Sequence, residues 1–167
     1  IHVVAGGGGR SRAVARHPGH YFDPRFSPDG ATIVFEKGTG GQLTSPLWSA
    51  EPGIYRVPST GGDAIRLTDQ GRTPHFGGSG ERVFYVHDHE PAKESQPAHE
   101  LVSVDINGKD RRVHAKSHYA TRMLVSPSGE WLTFRENYHV FATAMPPAGQ
   151  LELSPKAKSL PLLEGHD

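Results

Sequence analysis

One short phrase recurs three times in this chain and restricts its fold more than any other feature. Phe26-Ser27-Pro28-Asp29-Gly30 returns as Phe76-Gly77-Gly78-Ser79-Gly80 and again as Val125-Ser126-Pro127-Ser128-Gly129. The closing glycines thus recur about every fifty residues. In each copy an apolar residue stands four positions before the glycine. Others follow three and five positions after it: Ile33 and Phe35, Val83 and Tyr85, Leu132 and Phe134. Alternation with period two on both sides of a turn predicts a β-hairpin half buried on one face. Ser27-Pro28-Asp29-Gly30 supplies the turn itself: a side-chain oxygen first, a preset φ at proline, and a glycine where φ turns positive. A unit of this length built from short strands predicts propeller blades.

The rest of the composition agrees. With 20 glycines and 14 prolines a mostly helical chain is disfavoured and an all-β one expected. A formal charge of +0 gives no basic field to draw nucleic acid, and no apolar run reaches the length of a membrane span. Without cysteine there is no disulfide, no thiolate metal site and no cysteine nucleophile. The opening Ile1-His2-Val3-Val4 reads as mid-strand sequence, so the expectation is a piece of a longer protein.

Taken in order, the chain divides into four parts. Residues 1–18 read as the outer two strands of a preceding blade, and 19–71, 72–119 and 120–167 as three further blades of a single propeller fragment. The fold class is therefore all-β, a partial β-propeller of four-stranded antiparallel blades, three plus half of a preceding one. Strands a to d of the first full unit fall at 23–27, 31–36, 54–59 and 64–68. Those of the second fall at 73–77, 81–86, 101–106 and 111–115, with Asn107-Gly108 expected as a type I′ hairpin pair. In the third, a to c fall at 122–126, 130–135 and 139–145, while d is either 151–154 or within 159–163. Tight turns then gather at one end and the long b–c loops, 36–53 and 87–100, at the other. Loops on one face of a rigid scaffold are where binding resides. Of the eleven histidines, His17, His20, His87, His89, His99 and His118 should lie near that face.

The Phe26–Gly30 turn, followed by Ile33-Val34-Phe35, Ile54-Tyr55-Arg56-Val57, Gly61-Gly62 and Arg66-Leu67-Thr68, resembles the TolB-like (WD40-like, PD40) propeller repeat. Unit two departs by its Gly77-Gly78-Ser79 turn, and unit three has Ser128 in place of the aspartate. Such repeats accompany tricorn-like and prolyl-oligopeptidase-like peptidases and amidohydrolase domains. The stretch from Glu130 to Phe141, with Pro155-Lys156-Ala157-Lys158-Ser159-Leu160-Pro161 after it, resembles propeller sequence from secreted bacterial amidohydrolases. The resemblance implies a periplasmic or secreted protein. It also implies a metal-dependent hydrolase whose catalytic domain, and any metal it holds, lie outside this segment.

Each candidate site residue also has a plainer role. His87-Asp88-His89 has the H-x-H form that presents two imidazoles to a metal. Position 87, however, matches Lys37 and Glu136 in the other units, which read as exposed loop starts, so His87 and His89 are expected as solvated loop residues. A looser metal site would need two or three of the six loop-face histidines to converge. Gly6-Gly7-Gly8-Gly9-Arg10-Ser11 lacks the lysine and the following helix of a phosphate loop. Gly77-Gly78-Ser79-Gly80-Glu81 misses the last glycine of a nucleophile elbow. Asp23, Asp29 and Asp105 read as turn and strand-edge acceptors. Arg111-Arg112 reads as a solvated outer strand. Of the aromatic residues Trp48, Tyr55, Tyr119, Trp131 and Tyr138, Tyr55 is expected in the core and Trp48 at a contact surface.

The sequence thus points to a non-catalytic propeller segment with no cofactor of its own. It would serve a larger secreted, amidohydrolase-like hydrolase as an interaction or substrate-access module. A stand-alone TolB-type interaction propeller and a peptidase propeller are the alternatives. The interaction face is expected to include Trp48, His87, His89, His99 and His118. Expected partners are the rest of the propeller and a catalytic domain, or a protein or peptide, and the open blade edges suggest self-association.

Overall fold

The computed structural model describes residues 1–39, 50–90, 93, 97–136, 138–153 and 160–161. Strands β1 (His2–Val3) and β2 (Arg12–Ala13) form an antiparallel pair. The first full blade is β3 (His20–Phe26), β4 (Thr32–Gly38), β5 (Gly53–Pro58) and β6 (Ile65–Arg66), paired in chain order. The second is β7 (Arg72–Phe76), β8 (Arg82–Asp88), β9 (His99–Asp105) and β10 (Arg112–Ser117). The third begins with β11 (Arg122–Val125), β12 (Trp131–Glu136) and β13 (His139–Ala144).

Both candidates for the last strand are used, for different sheets. β14 (Leu151–Leu153) crosses to the second blade and runs parallel to β10, with Ala115 opposite Leu151 and Ser117 opposite Leu153. β15 (Leu160–Pro161) returns to pair antiparallel with β13 and completes the third blade. The second sheet therefore has five strands, one of them borrowed.

The recurring turns are built alike. Gly30, Gly80 and Gly129 adopt positive φ, and each donates its N–H to the carbonyl three residues earlier. Ser27 Oγ also accepts the Thr32 N–H at 2.9 Å, and Ser126 Oγ does the same for Trp131 at 3.1 Å. The Asn107-Gly108 turn is not the expected type I′, because Gly108 has positive φ and Asn107 does not. The reason is Asp105, whose Oδ1 accepts the N–H groups of both Asn107 and Lys109 and closes a different bend.

The strands are packed more deeply than a one-sided hairpin requires. Val34, Ile54, Leu67, Phe76, Val83, Tyr85, Val102 and Val104 form one apolar layer between the first and second blades. Phe84, Val86 and Leu101 point the other way, into a layer with Met123, Leu132, Phe134 and Phe141 of the third. Ile33, Phe35, Tyr55 and Val57 face Val14 and Ala15 of the leading pair. Successive residues on the middle strands thus enter different layers, and β4, β5, β8 and β9 are buried on both faces. Strand β12 of the third blade keeps the alternation: Leu132 and Phe134 are buried, while Trp131 and Arg135 are exposed.

Candidate functional site

The ends of the b strands and the d–a connections meet on the loop face, where a charged chain links the second and third blades. Arg72, which opens β7, holds Asp88 at the end of β8 with both arms, Nε to Oδ2 at 2.5 Å and Nη2 to Oδ1 at 3.0 Å. Its Nη1 donates to the Thr121 carbonyl, beside the start of the third blade. His99 Nδ1 lies 2.6 Å from the same Asp88. Burial alone would push the Asp88 carboxyl up, but the bonds from Arg72 and His99 outweigh it and hold Asp88 below its ordinary value. Thr73, left-handed at φ 51, sits at a bulge and donates its N–H to Glu36 of the first blade at 3.3 Å. Burial raises Glu36, and Asp23 and Asp88 nearby add to that rise.

Beside this chain opens a cleft of ≈ 580 Å³ lined by His99, His118, Tyr119, Thr121, Arg135 and Tyr138. Tyr138 stands fully in solvent on a left-handed residue of the short β12–β13 turn, and Tyr119 is also exposed. Arg135 Nε donates to Thr121 Oγ1 at 3.2 Å, and among the described residues its remaining guanidinium donors have no partner and border the cleft. Two rings and a guanidinium on a β-scaffold can stack on and hydrogen-bond an extended chain. A second hollow of ≈ 420 Å³ lies between His17, Tyr21, Phe35, Lys37, Glu51 and Tyr55, with Lys37 Nζ 5.5 Å from the Tyr55 ring centre.

Of the expected interaction residues, His99 and His118 line one cleft. His87 and His89 stack on each other with ring centres 5.9 Å apart, and Trp48 lies outside the described residues. His17 lines the second hollow instead. Among the described residues no three His, Asp or Glu side chains come together as a metal-binding set. In the H-x-H motif it is the middle residue, Asp88, that makes the charged contacts. Glu136 departs from its expected exposed place. It is buried, its Oε2 has no hydrogen-bond partner among the described residues, and burial raises its pKa against the pull of His118. Asp29 and Asp105 do serve as turn acceptors, and Tyr55 is core. Arg72, Thr121 and Arg135 carry no signal in the sequence pattern: Arg72 and Thr121 meet across 49 residues, and Arg135 reaches Thr121 from the next strand, 14 residues on.

No family model matches the chain. A stretch of 62 residues is 39% identical to the Tol-Pal system protein TolB of Bordetella pertussis, and covers 37% of this chain and 12% of that protein. TolB from Acinetobacter baumannii superposes with a TM-score of 0.55 at 21% identity, over 81% of this chain and 32% of that one. An oligogalacturonate lyase in complex with manganese gives 0.63 at 12% identity, over 83% and 37%. A puromycin-hydrolyzing peptidase of Mycobacterium tuberculosis gives 0.58 at 14% identity, over 98% and 27%. These similarities show a common fold, and this chain spans about a third or less of each protein named.

Proposed function

We propose that this chain, a TolB-like β-propeller segment, is a non-catalytic interaction module that holds an extended peptide or a protein loop on its loop face. The observation that carries the reading is the cleft between the second and third blades, where Tyr119 and Tyr138 stand exposed beside Arg135. The rings offer large contact area at low entropic cost, and the Arg72–Asp88–His99 chain stiffens the wall behind them. The similarity to TolB, a protein of the Tol-Pal system, supports a role in protein association, and the resemblance of the repeat implies a periplasmic or secreted setting. On this reading a catalytic domain, of amidohydrolase type or another, is a neighbour the segment serves.

The test is selection of displayed random peptides on the intact chain, followed by calorimetry of the enriched sequences. Replacing Tyr119 and Tyr138 together by serine should weaken binding at least about tenfold, the loss expected for central aromatic anchors. Peptides that bind the double variant as well as the parent would overturn the assignment. Failure to enrich any peptide would do the same.

A further inference from the structure

The borrowed strand β14 shows what the outer edge of the second blade accepts. An edge strand presents a row of N–H and C=O groups that template another strand. β14 pairs with Ala115, Lys116 and Ser117, the last half of β10, and seats Leu153 in the core between the second and third blades. Ala115 and Ser117 beneath it are almost wholly buried, while Glu152 between the leucines faces solvent. The first half of β10, Arg112 to His114, has no partner strand on that side among the described residues. The strap that leads into β14 bows away from it through Pro146, Pro147 and Gly149, which has φ 94. Between strap and strand lies a cleft of ≈ 380 Å³ walled by Arg112, Val113 and His114 on one side and residues 146–150 on the other.

We propose that the outer edge of the second blade is a β-augmentation site, half occupied in cis, for an extended partner segment that runs parallel to β10. The partner pairs along the whole of Arg112 to Ser117 and displaces β14. Its last three residues carry an apolar–polar–apolar pattern, as Leu151-Glu152-Leu153 do, with the polar residue opposite Lys116. Its first three residues lack proline, so that they donate to the half of the edge that the strap cannot reach. Displacement is feasible because the cis strand pairs over three residues only, whereas the partner pairs along all six of β10. This site lies on a different sheet edge from the loop-face cleft and does not depend on it.

The probe is the N-acetylated hexapeptide Thr-Val-Thr-Leu-Glu-Leu, titrated into the whole chain and followed by amide hydrogen exchange. The expected result is protection of Arg112 to His114 together with faster exchange at Leu151 to Leu153. Glu152→Pro places a residue with no N–H and a fixed φ in the middle of the cis strand, at a solvent-facing position, which disfavours strand pairing there, so it should raise apparent peptide affinity at least about tenfold. A peptide with aspartate at both leucine positions should not bind. Unchanged exchange along β10 up to millimolar peptide would overturn the proposal, as would equal affinity for parent and Glu152→Pro. Should that variant fold poorly, equal binding of the leucine and aspartate peptides to the parent chain also overturns it.

Discussion

Nε2 of His75, on the innermost strand of the second blade, accepts the N–H of Val125 on the innermost strand of the third at 3.0 Å. The other ring nitrogen, Nδ1, lies 3.1 Å from the Thr73 carbonyl, so the ring is neutral with its proton on Nδ1. Burial drives His75 down to about 4, and Arg25 opposes the charged form as well. Between pH 4 and 6.5 the unfolded chain therefore binds the proton that the folded chain refuses. Stability from this group is complete above the ordinary histidine value and is lost as pH falls toward about 4, a total of about 3 kcal/mol. Urea unfolding at pH 7.5 and 4.5 should show that loss in the parent. His75→Leu should be less stable at pH 7.5 but have a flatter profile over this window. An equally steep profile in the variant would remove His75 from the account.

The glycine-rich turn of the second copy has a packing cause. A Cβ on Gly78 would lie 2.3 Å from the Pro127 carbonyl oxygen of the next blade's turn, and one on Gly77 would lie 2.7 Å from the Phe84 ring. Restoring the other copies' proline, Gly78→Pro, should therefore destabilise the chain by about 2 kcal/mol, although it rigidifies the unfolded state. Thermal unfolding decides: a higher Tm in Gly78→Pro would contradict the clash.

Leu132 and Val140 lie on neighbouring strands of the third blade but face opposite ways. Leu132 is wholly buried in the layer shared with the second blade, and Val140 is 37% exposed on the open face. Leu132→Ala should cost about 3 kcal/mol and Val140→Thr within about 0.5 kcal/mol in chemical denaturation. Similar costs for the two would mean that the open face is covered in solution.

Glu136 is buried, its Oε2 has no partner among the described residues, and burial raises its pKa. The folded chain thus holds this proton more tightly than the unfolded one. Its contribution is most favourable below the ordinary carboxyl value and is lost as pH rises through the raised one. Glu136→Gln should stabilise the chain by about 1 kcal/mol at pH 7 and make no gain at pH 4, as read by urea midpoints. A destabilised variant at pH 7 would show that the carboxylate is needed in its charged form.

The part of the fold legible in the sequence is the part that repeats locally. Gly30, Gly80 and Gly129 mark the same turn, and Ile33, Val83 and Leu132 mark the same strand face, because backbone geometry and pleat are set by neighbouring residues. Two-sided burial was not legible. Val34 and Phe84 enter layers completed by residues far along the chain, and a run of apolar residues reads the same whichever layer each joins. The cleft was legible in part: the shared loop face put His99 and His118 near one another. The bridges from Arg72 to Thr121 and from His75 to Val125 depend on how one blade leans on the next, which a repeat period does not encode.

The middle strands of the second blade divide their side chains between two layers, so neither neighbour can melt without uncovering half of that sheet. Unfolding should behave as a chain of nearest-neighbour couplings, with the second blade as the most protected unit and the leading strand pair as the first to fray. A cavity cut at Tyr85 or Phe84 would then be felt on both sides of the sheet, and cooperativity itself, not only the midpoint, would register the damage.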